Sequence, residues 1–198
     1  MSNNEQLLLD RSKSGDVAAF EKLIEAYQKK IFNLAFRIVG NYDDASDLTQ
    51  EAFIRIFKSI ANFKEQSSFS TWVYRITTNV CLDEIRKKKN RRMLSLDEEI
   101  QVEDGEMKRQ VVSGDPLPDE VAEKEELRSI VSNAINSLPE EQRLVISLRD
   151  IQGLRYDEIS EVLDCPSGTV KSRINRARQA LKNVLLTKRE LLNEEYVK

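Results

Sequence analysis

Apolar residues recur at spacings of three and four along this chain, and that periodicity limits the fold more than any other feature of the sequence. The clearest run lies between Asp16 and Gly40, at Phe20, Leu23, Ile24, Tyr27, Ile31, Leu34, Ala35 and Ile38. Such spacings place side chains on one face of an α-helix, and Asp16 and Gly40 are suited to cap its two ends. Strand-type alternation is not sustained anywhere, so the predicted fold class is all-α.

The same spacing predicts the remaining helices. In the first half, a short helix is expected over residues 6–14, a second one from Asp43 or Asp44 to about Ile60, and a third from about Ser68 through Ile85 into the basic run at 86–92. A polar loop around Phe63 separates the last two. In the second half, one helix is expected to end before Pro139 and another at Gly153, and two more over residues 156–163 and 167–186.

Charge is distributed unevenly and divides the chain into three blocks. The net charge is −3, but residues 1–94 hold 16 basic and 12 acidic side chains, residues 95–126 hold 3 and 12, and residues 127–198 hold 12 and 10. The middle block also contains Pro116 and Pro118, and its composition cannot bury enough apolar surface to form a core. We therefore expect two small helical domains, 1–94 and 127–198, joined by a flexible acidic linker over 95–126.

The residue types that are missing or scarce exclude several classes of function. The sequence has no histidine, which removes imidazole bases and the Ser/His and Cys/His dyads. Cys81 and Cys165 are single and far apart, unlike the ligands of a thiolate zinc site. The six glycines form no phosphate-binding loop. We therefore expect a protein that is not an enzyme and uses no cofactor.

Hydropathy gives an expectation about location. No apolar run reaches the roughly 20 residues that a membrane span needs. The first residues, MSNNE, lack the basic and apolar blocks of a signal peptide. The sequence thus predicts a cytoplasmic protein without a membrane span.

Residues 156–181 carry the pattern of a helix-turn-helix motif. A short helix with Ile159 and Val162 on its inner face is followed by a tight turn, after which Ser167 is suited to cap a longer helix. In the longer helix, Val170 and Ile174 belong to a core stripe, and the opposite face is polar and cationic without an acidic residue. Such a face suits base edges in a major groove better than it suits a solvated helix of a non-binding bundle. It holds Gly168, Thr169, Lys171, Ser172, Asn175, Arg176 and Gln179, and Arg173 and Arg178 beside the core stripe can extend to phosphates.

Three carboxylates, Asp44, Asp47 and Glu51, share one helix face in the first domain. They are compatible with a carboxylate metal site, with favourable charge at the start of a helix, or with a docking surface for another protein. The metal site is the weakest of these, because histidine is missing and there is no second carboxylate cluster outside the linker. We therefore predict no metal.

Four aromatic residues, Phe63, Phe69, Trp72 and Tyr74, precede a basic run at residues 86–92. Rings that stack on bases beside cations that hold phosphates are typical of single-strand sites. Phe69 and Trp72 share a helical stripe, so core packing is favoured for them, whereas Tyr74 lies between stripe positions and is expected to be the freer ring. For the basic run, contact with phosphates is favoured over a merely solvated helix end.

Four segments then match a known pattern in order. They are DDASDLTQEAFIRIF at 43–57, FSTWVYRITTN at 69–79, LPEEQR at 138–143 and GTVKSRINRAR at 168–178. Together they resemble the sigma-70 family of RNA polymerase sigma factors, in its small extracytoplasmic-function group. The first is similar to the family's segment that binds the clamp helices of the largest polymerase subunit, the second to its promoter-melting segment, and the last two to its second conserved domain. The resemblance covers about residues 6–186 and implies sigma region 2 in the first domain and sigma region 4 in the second.

The resemblance also implies the function and the residues that perform it. Such a protein binds core RNA polymerase, at the clamp helices and the flap region, and directs initiation at promoters by recognising minus-ten and minus-thirty-five elements and assisting DNA melting. Polymerase binding is implied for Asp44, Asp47, Gln50, Glu51 and Arg55. Minus-ten contact is expected for Phe63, Lys64, Ser68, Tyr74, Asn79, Lys87, Lys88 and Arg91. Minus-thirty-five contact is expected for Ser167, Thr169, Lys171, Ser172, Arg173, Asn175, Arg176 and Arg178.

Two further expectations accompany this assignment. By resemblance, the acidic linker runs toward the active-site cleft and RNA exit path of the polymerase, and an anti-sigma factor is a possible further partner. The alternative function is a helix-turn-helix regulator that binds duplex DNA without polymerase. Tight, specific DNA binding by the purified chain alone distinguishes that alternative.

Overall fold

The architecture is entirely helical throughout the part of the chain that the structure describes. This computed structural model describes the backbone of residues 3–95 and 118–195, and the side chains of residues 4–91 and 127–187. The helices are α1 Asn3–Lys13, α2 Val17–Val39, α3 Tyr42–Ser59, α4 Phe69–Ser95, α5 Pro118–Asn136, α6 Glu140–Ile146, α7 Tyr156–Leu163 and α8 Ser167–Glu195, with a 3₁₀ turn at Ile60–Asn62 and a π turn at Ser147–Ile151. The predicted all-α class is confirmed. No helix in these ranges has both the length and the apolar character to cross a membrane.

Helix α2 has the ends that its sequence predicts. The Asp16 carboxylate accepts a hydrogen bond of 3.0 Å from the backbone N–H of Ala19, which satisfies a donor of the first turn. Gly40 adopts a left-handed conformation, with φ of 77°, and its N–H donates to the Phe36 carbonyl at 2.8 Å. The apolar stripe between these caps is buried along its whole length.

Several helix boundaries differ from the predicted ones. Helix α1 begins at Asn3 and not at residue 6, and α6, whose predicted end is Gly153, gives way to the π turn after Ile146. Helix α3 begins at Tyr42, because the Asn41 side chain caps it by accepting from the Asp44 N–H at 3.0 Å. Helix α5 begins at Pro118, inside the stretch predicted as linker, since proline is well suited to a first helical turn. Helix α8 continues to Glu195, past the expected end near Leu186. Residues 96–117 of the predicted linker lie outside the described residues.

The first four helices pack around an aliphatic and aromatic core. Leu34 of α2, Ile56 of α3 and Phe69 of α4 are fully buried there. The Tyr27 ring meets the Phe69 ring edge to face, with centroids 5.4 Å apart. Leu9 is also fully buried, so α1 is part of this bundle.

Helices α5 to α8 form the second bundle. Leu148, Ile159, Val170 and Ile174 are buried in its centre. Asp164 takes a left-handed conformation, with φ of 47°, at the end of α7, and this residue turns the chain into α8. The expected helix-turn-helix is therefore present at α7 and α8.

The two bundles lie against each other, and their buried residues form one continuous cluster. Helix α4 contacts α7, and α2 contacts α6. The Arg143 guanidinium donates to the Ile38 carbonyl of α2 at 2.7 Å and to the Asn136 carbonyl of α5 at 3.1 Å. A cation is favourable at the carbonyl ends of helices, so Arg143 joins the two bundles at their helix ends.

Candidate nucleic-acid interface

The outer face of α8 is exposed and cationic. Val170, Ile174 and Ala177 are buried against the bundle, which turns the opposite face of the helix toward solvent. The exposed side chains on that face are Lys171, Ser172, Asn175, Arg176 and Gln179, with Thr169 and Arg173 half-buried at its edges. The exposed positions match the face that the apolar stripe predicts, and they leave donors and cations free to meet a DNA groove.

Arg178 has a partner that sequence spacing does not reveal. Its guanidinium makes two hydrogen bonds to the Asp150 carboxylate, one of them from Nε to Oδ2 at 3.2 Å. This carboxylate raises the pKa of Arg178. Asp150 belongs to the π turn before α7, so the α8 face, which has no acid of its own, has one beside it in the folded domain.

The start of α8 differs from the predicted capping arrangement. The Pro166 carbonyl accepts the first helical hydrogen bonds, from the N–H groups of Thr169 at 2.8 Å and Val170 at 3.1 Å. Ser167 is therefore the first residue of the helix and not its cap. Its side chain is exposed.

A second candidate surface surrounds the loop formed by residues 63–68. The Phe63 ring lies 4.9 Å from Trp72 and 5.7 Å from Phe69, centroid to centroid, and all three side chains are buried. Core packing, expected for Phe69 and Trp72, is confirmed, and it extends to Phe63. The Ser68 hydroxyl accepts from the Thr71 N–H at 3.1 Å and so caps α4.

A polar cleft of about 360 Å³ opens beside this loop. It is lined by Asn62, Phe63, Lys64, Gln66, Ser67, Trp72, Arg75 and Glu161. Lys64 and Arg75 make one wall cationic, whereas Glu161 extends into the cleft from α7 of the second bundle. The resemblance implied a pocket formed by residues 63–68, which includes Gln66, but sequence reasoning missed Arg75 as a cleft residue. The sequence does contain a feature that could have identified Arg75, since it lies on the polar side of α4, opposite the buried stripe.

The expectation that Tyr74 is the freer ring is wrong. Tyr74 is only 4% exposed, because α7 and Gln152, the residue directly after the π turn, cover that side of α4. Its hydroxyl donates to the Gln152 side-chain oxygen at 2.8 Å, and burial raises the pKa of Tyr74 to about 12. Position relative to the helical stripe describes packing within one bundle only, and Gln152 belongs to the other.

The basic end of α4 is exposed but partly ion-paired. Lys88 lies 2.5 Å from the Asp44 carboxylate of α3. Lys87 and Arg91 lie 3.9 and 4.0 Å from Glu84, within the same helix. All three cations are exposed and their carboxylate partners are partly exposed, so the pairs are weak and phosphates can replace the carboxylates at low free-energy cost. Asn79 is exposed on the same helix.

The carboxylate face of α3 presents charge next to apolar surface. Glu51 pairs with Arg55 at 2.7 Å, and Asp47 and Gln50 are exposed. Two apolar side chains are exposed beside them: Ile54, which the sequence pattern did not single out, at 48%, and Phe57, whose spacing places it on the apolar side of the helix, at 40%. Exposed apolar side chains within a polar rim are typical of protein-binding surfaces. Among the residues with described side chains, no three potential metal ligands gather into a group.

Comparison with known families identifies the two bundles. The model of sigma-70 region 2 matches residues 23–91, and the model of sigma-70 region 4 matches residues 128–181. The chain is 42% identical over 174 residues to the ECF RNA polymerase sigma factor SigW of Bacillus subtilis (strain 168), covering 87% of this chain and 92% of the relative. It is 40% identical over 184 residues to the ECF RNA polymerase sigma-E factor of Escherichia coli (strain K12), covering 90% and 93%.

Solved structures share the fold. The structure of CnrH in complex with the cytosolic domain of CnrY is similar with a TM-score of 0.65 and 22% identity, over 93% of this chain and 99% of that one. The sigma factor RpoE of Bartonella quintana, in complex with the anti-sigma factor NepR, is similar with a TM-score of 0.65 and 24% identity, over 85% and 98%. Both solved structures therefore share the fold of this chain.

Proposed function

The chain belongs to the extracytoplasmic-function group of sigma-70 RNA polymerase sigma factors, and on that premise we propose how its surfaces share the work of promoter-specific initiation. It binds core RNA polymerase and promoter DNA. This assignment rests on where the two family models match. Sigma-70 region 2 matches the bundle with the 63–68 loop, and sigma-70 region 4 matches the bundle with the exposed α8 face. The alternative, a regulator that works without polymerase, is not favoured.

The first domain, residues 1–94, docks on polymerase and holds the minus-ten element. The α3 face with Asp44, Asp47, Gln50, Glu51 and Arg55 contacts the clamp helices. Charged side chains around exposed Ile54 and Phe57 support this assignment, since polar rims around apolar centres are typical of interfaces.

The minus-ten surface combines the 63–68 loop, its cleft and the basic end of α4. A base flipped from the non-template strand enters the cleft beside Lys64, and Ser68 lies at the adjacent end of the loop. Asn79 and the cations Lys87, Lys88 and Arg91 hold the neighbouring strand. Flipping costs a few kcal/mol of stacking, which capture and polymerase contacts offset. Phe63 supports the cleft from below, because its ring is buried against Trp72.

The second domain, residues 127–198, reads the minus-thirty-five element through α8. Lys171, Ser172, Asn175 and Arg176 project from the exposed face toward base edges, with Ser167, Thr169 and Arg173 at its margins. Arg178 reaches a phosphate by exchanging the Asp150 carboxylate for it. Residues 95–126 form the acidic connection, and the start of α5 extends into it from the second domain.

Minus-ten recognition through Tyr74 requires the domains to separate. In the structure Gln152 covers this ring, and Glu161 places a carboxylate in the cleft. Core polymerase supplies the free energy for opening by binding each domain at its own site, and the shared polymerase surface then raises the effective concentration of each DNA contact.

The protein itself catalyses no reaction on the DNA that it binds, and it works where polymerase does, in the cytoplasm. Its relatives are sigma factors, and two structural neighbours were solved with an anti-sigma factor or the cytosolic domain of a second protein. An anti-sigma factor that covers the exposed α3 or α8 faces is accordingly a further partner of this chain.

The deciding experiment is run-off transcription by core RNA polymerase on a library of promoter fragments, with and without the chain. We expect discrete transcripts that depend on the chain and whose templates share two spaced sequence elements. Tight duplex binding by the chain alone, with no chain-dependent transcript, would instead support the polymerase-independent regulator.

A further inference from the structure

The loop of residues 63–68 is anchored by the backbone at its two ends. The Phe63 N–H donates to the Ile60 carbonyl at 3.1 Å, and the Ser68 carbonyl accepts from the Trp72 N–H at 3.0 Å. Between these anchors, Glu65 adopts a positive φ of 56°. Residues other than glycine and asparagine rarely adopt such a φ, and they keep it where surrounding contacts hold them. The middle of the loop therefore depends on what its side chains bind.

Lys13, the last residue of α1, supplies that contact. Its ammonium is ion-paired with the Glu65 carboxylate. The same ammonium lies 5.3 Å from the centroid of the Phe63 ring, within the range of a cation–π interaction. The Lys13 side chain is only 22% exposed, so the pair is shielded on one side. Hydrogen bonding to Lys13 lowers the pKa of Glu65, which is consistent with a pair that stays charged at neutral pH.

Helix α1 holds Lys13 in place because it is itself anchored in the core. Leu9 is fully buried, and Ser12 is 2% exposed. Near the start of the helix, the Tyr27 hydroxyl donates to the Glu5 carboxylate at 2.7 Å. The position of the Lys13 ammonium is thus set by the packing of the first domain. The match to sigma-70 region 2 begins only at residue 23, so α1 lies before it.

The direction of Glu65 determines which of its neighbours face the cleft. Lys64, Gln66 and Ser67 line the cleft, whereas Glu65 points to α1. If Glu65 lost Lys13, only its weaker hydrogen bond from Gln6 would remain. The left-handed conformation would then lose most of its support, and the residues on either side would turn with the backbone. The contact between Lys13 and Glu65 is therefore coupled to the shape of the cleft wall.

We propose that Lys13 is a positioning residue for minus-ten recognition, which acts through Glu65 to hold the 63–68 loop in the shape that meets the captured base. This proposal rests on the proposed function of the loop. Lys13 does not contact the base, and its effect is on the choice among bases.

The test measures base preference in complexes of the chain with core polymerase. Single-stranded oligonucleotides with six randomised positions are selected on the wild-type complex, and the dissociation constant is then measured for the best sequence and its single-base variants. Lys13→Met is expected to reduce the preference at the captured position about threefold, the size of one partly exposed ion pair. Lys13→Arg is expected to keep the preference, and so is the exchange Lys13→Glu with Glu65→Lys in one chain. Lys22→Met, at an exposed position of α2, is the matched control.

The outcomes separate this proposal from the function on which it rests. A wild-type complex without any base preference overturns the assignment of the loop, and the role of Lys13 with it. A wild-type complex with a preference that Lys13→Met leaves unchanged overturns the role of Lys13 alone. The role of Lys13 is also overturned if Lys13→Met and the charge exchange lose base preference equally and both lower the melting temperature. That result would show that the packing of α1, and not the ion pair, shapes the loop. A reduced preference with unchanged melting temperature and polymerase affinity, restored by Lys13→Arg, supports the proposal.

Discussion

The two cysteines have different environments, and burial separates their chemistry. Cys81 is fully buried in α4, and burial raises its pKa to about 12. Cys165 is half-buried in the turn between α7 and α8. Because Cys81 has a higher pKa in the folded state than its ordinary value of 9.0, the native state holds the neutral thiol. Its contribution to stability is therefore complete below pH 9 and is lost as the pH rises toward 12.

This contrast predicts unequal rates of thiol alkylation. At pH 8 the thiolate of Cys81 is about a thousandfold scarcer than that of a cysteine with the ordinary pKa. We expect iodoacetamide to modify Cys165 first and Cys81 only when the first domain opens. Mass spectrometry of peptides from timed reactions measures both rates in one sample. Equal rates in the native protein would contradict the burial of Cys81.

Glu51 occupies the centre of the charged α3 face. Its side chain is 44% exposed and is held by Arg55, which also lies 3.7 Å from Asp83. A carboxylate fixed by one neighbour on its own helix keeps its outward oxygen available to a partner. Glu51 is therefore the residue at which docking on polymerase is most directly tested.

We predict that Glu51→Lys lowers the affinity for core polymerase about tenfold or more. The substitution would place a positive charge opposite the groups that are expected to complement a carboxylate, and charges of the same sign repel strongly across an interface. Binding of an isolated duplex by α8 should stay the same. Fluorescence titration of the labelled chain with core polymerase measures the affinity. Glu25→Lys, at an exposed position of α2, is the control for the added charge. Unchanged polymerase affinity in Glu51→Lys would remove this face from the docking assignment.

At the scale of one element, Arg176 and Arg178 of α8 differ in how strongly other protein groups bind their guanidinium groups. The Arg176 guanidinium is exposed and has only a long contact, 3.4 Å, to the Ser172 carbonyl. Arg178, half a turn further, is engaged by Asp150. A free guanidinium binds a base edge without losing a partner, whereas an engaged one must first break an ion pair. The helix therefore presents Arg176 to DNA more readily than Arg178.

Arg176→Ala is predicted to lower promoter-specific initiation about tenfold, as expected for loss of one base-directed contact, while polymerase affinity persists. Arg178→Ala should reduce initiation less, and it should lower the free energy of unfolding by under about 1 kcal/mol. Run-off transcription and urea denaturation measure the two effects. Equal loss of initiation and of polymerase binding in Arg176→Ala would refute a role in reading DNA.

At the scale of the whole molecule, the second domain covers part of the minus-ten surface of the first. Besides Tyr74 and Gln152, the Thr71 hydroxyl donates to the Glu158 carboxylate at 3.2 Å. The α8 face stays exposed in the same arrangement. The two proposed promoter-binding surfaces of the free chain are therefore unequally accessible. The apparent affinity of the covered surface is reduced in proportion to the fraction of molecules that are open.

Removing the carboxylate from the cleft tests this arrangement. We predict that Glu161→Gln raises the affinity of the free chain for a single-stranded minus-ten oligonucleotide about two- to threefold, because Lys64 and Arg75 then face no competing acid. In complex with core polymerase, where we propose that the domains are apart, the same variant should bind like wild type. Fluorescence anisotropy compares the two states, with Glu21→Gln on α2 as the control. A similar gain with and without polymerase would show that the domains do not separate.

Much of the fold was predictable because helices are encoded locally. The stripe from Phe20 to Ile38 specifies both a helix and its buried face, and the caps Asp16 and Gly40 lie where their chemistry requires. The exposed face of α8 followed in the same way from its buried stripe. Tyr74 shows where this reasoning fails, because its burial comes from a neighbour 78 residues away, and no local spacing records that contact.

The sequence by itself determined the helices, the exposed α8 face and the family, since each rests on residues a few positions apart or on an ordered set of motifs. Only the tertiary structure decided which charges pair and which surfaces are covered. It joined Lys13 to Glu65 and Arg178 to Asp150, and it placed Gln152 over Tyr74. The physical reason is that helical periodicity fixes the direction of a side chain relative to its own helix. The partner in that direction depends on how the helices pack.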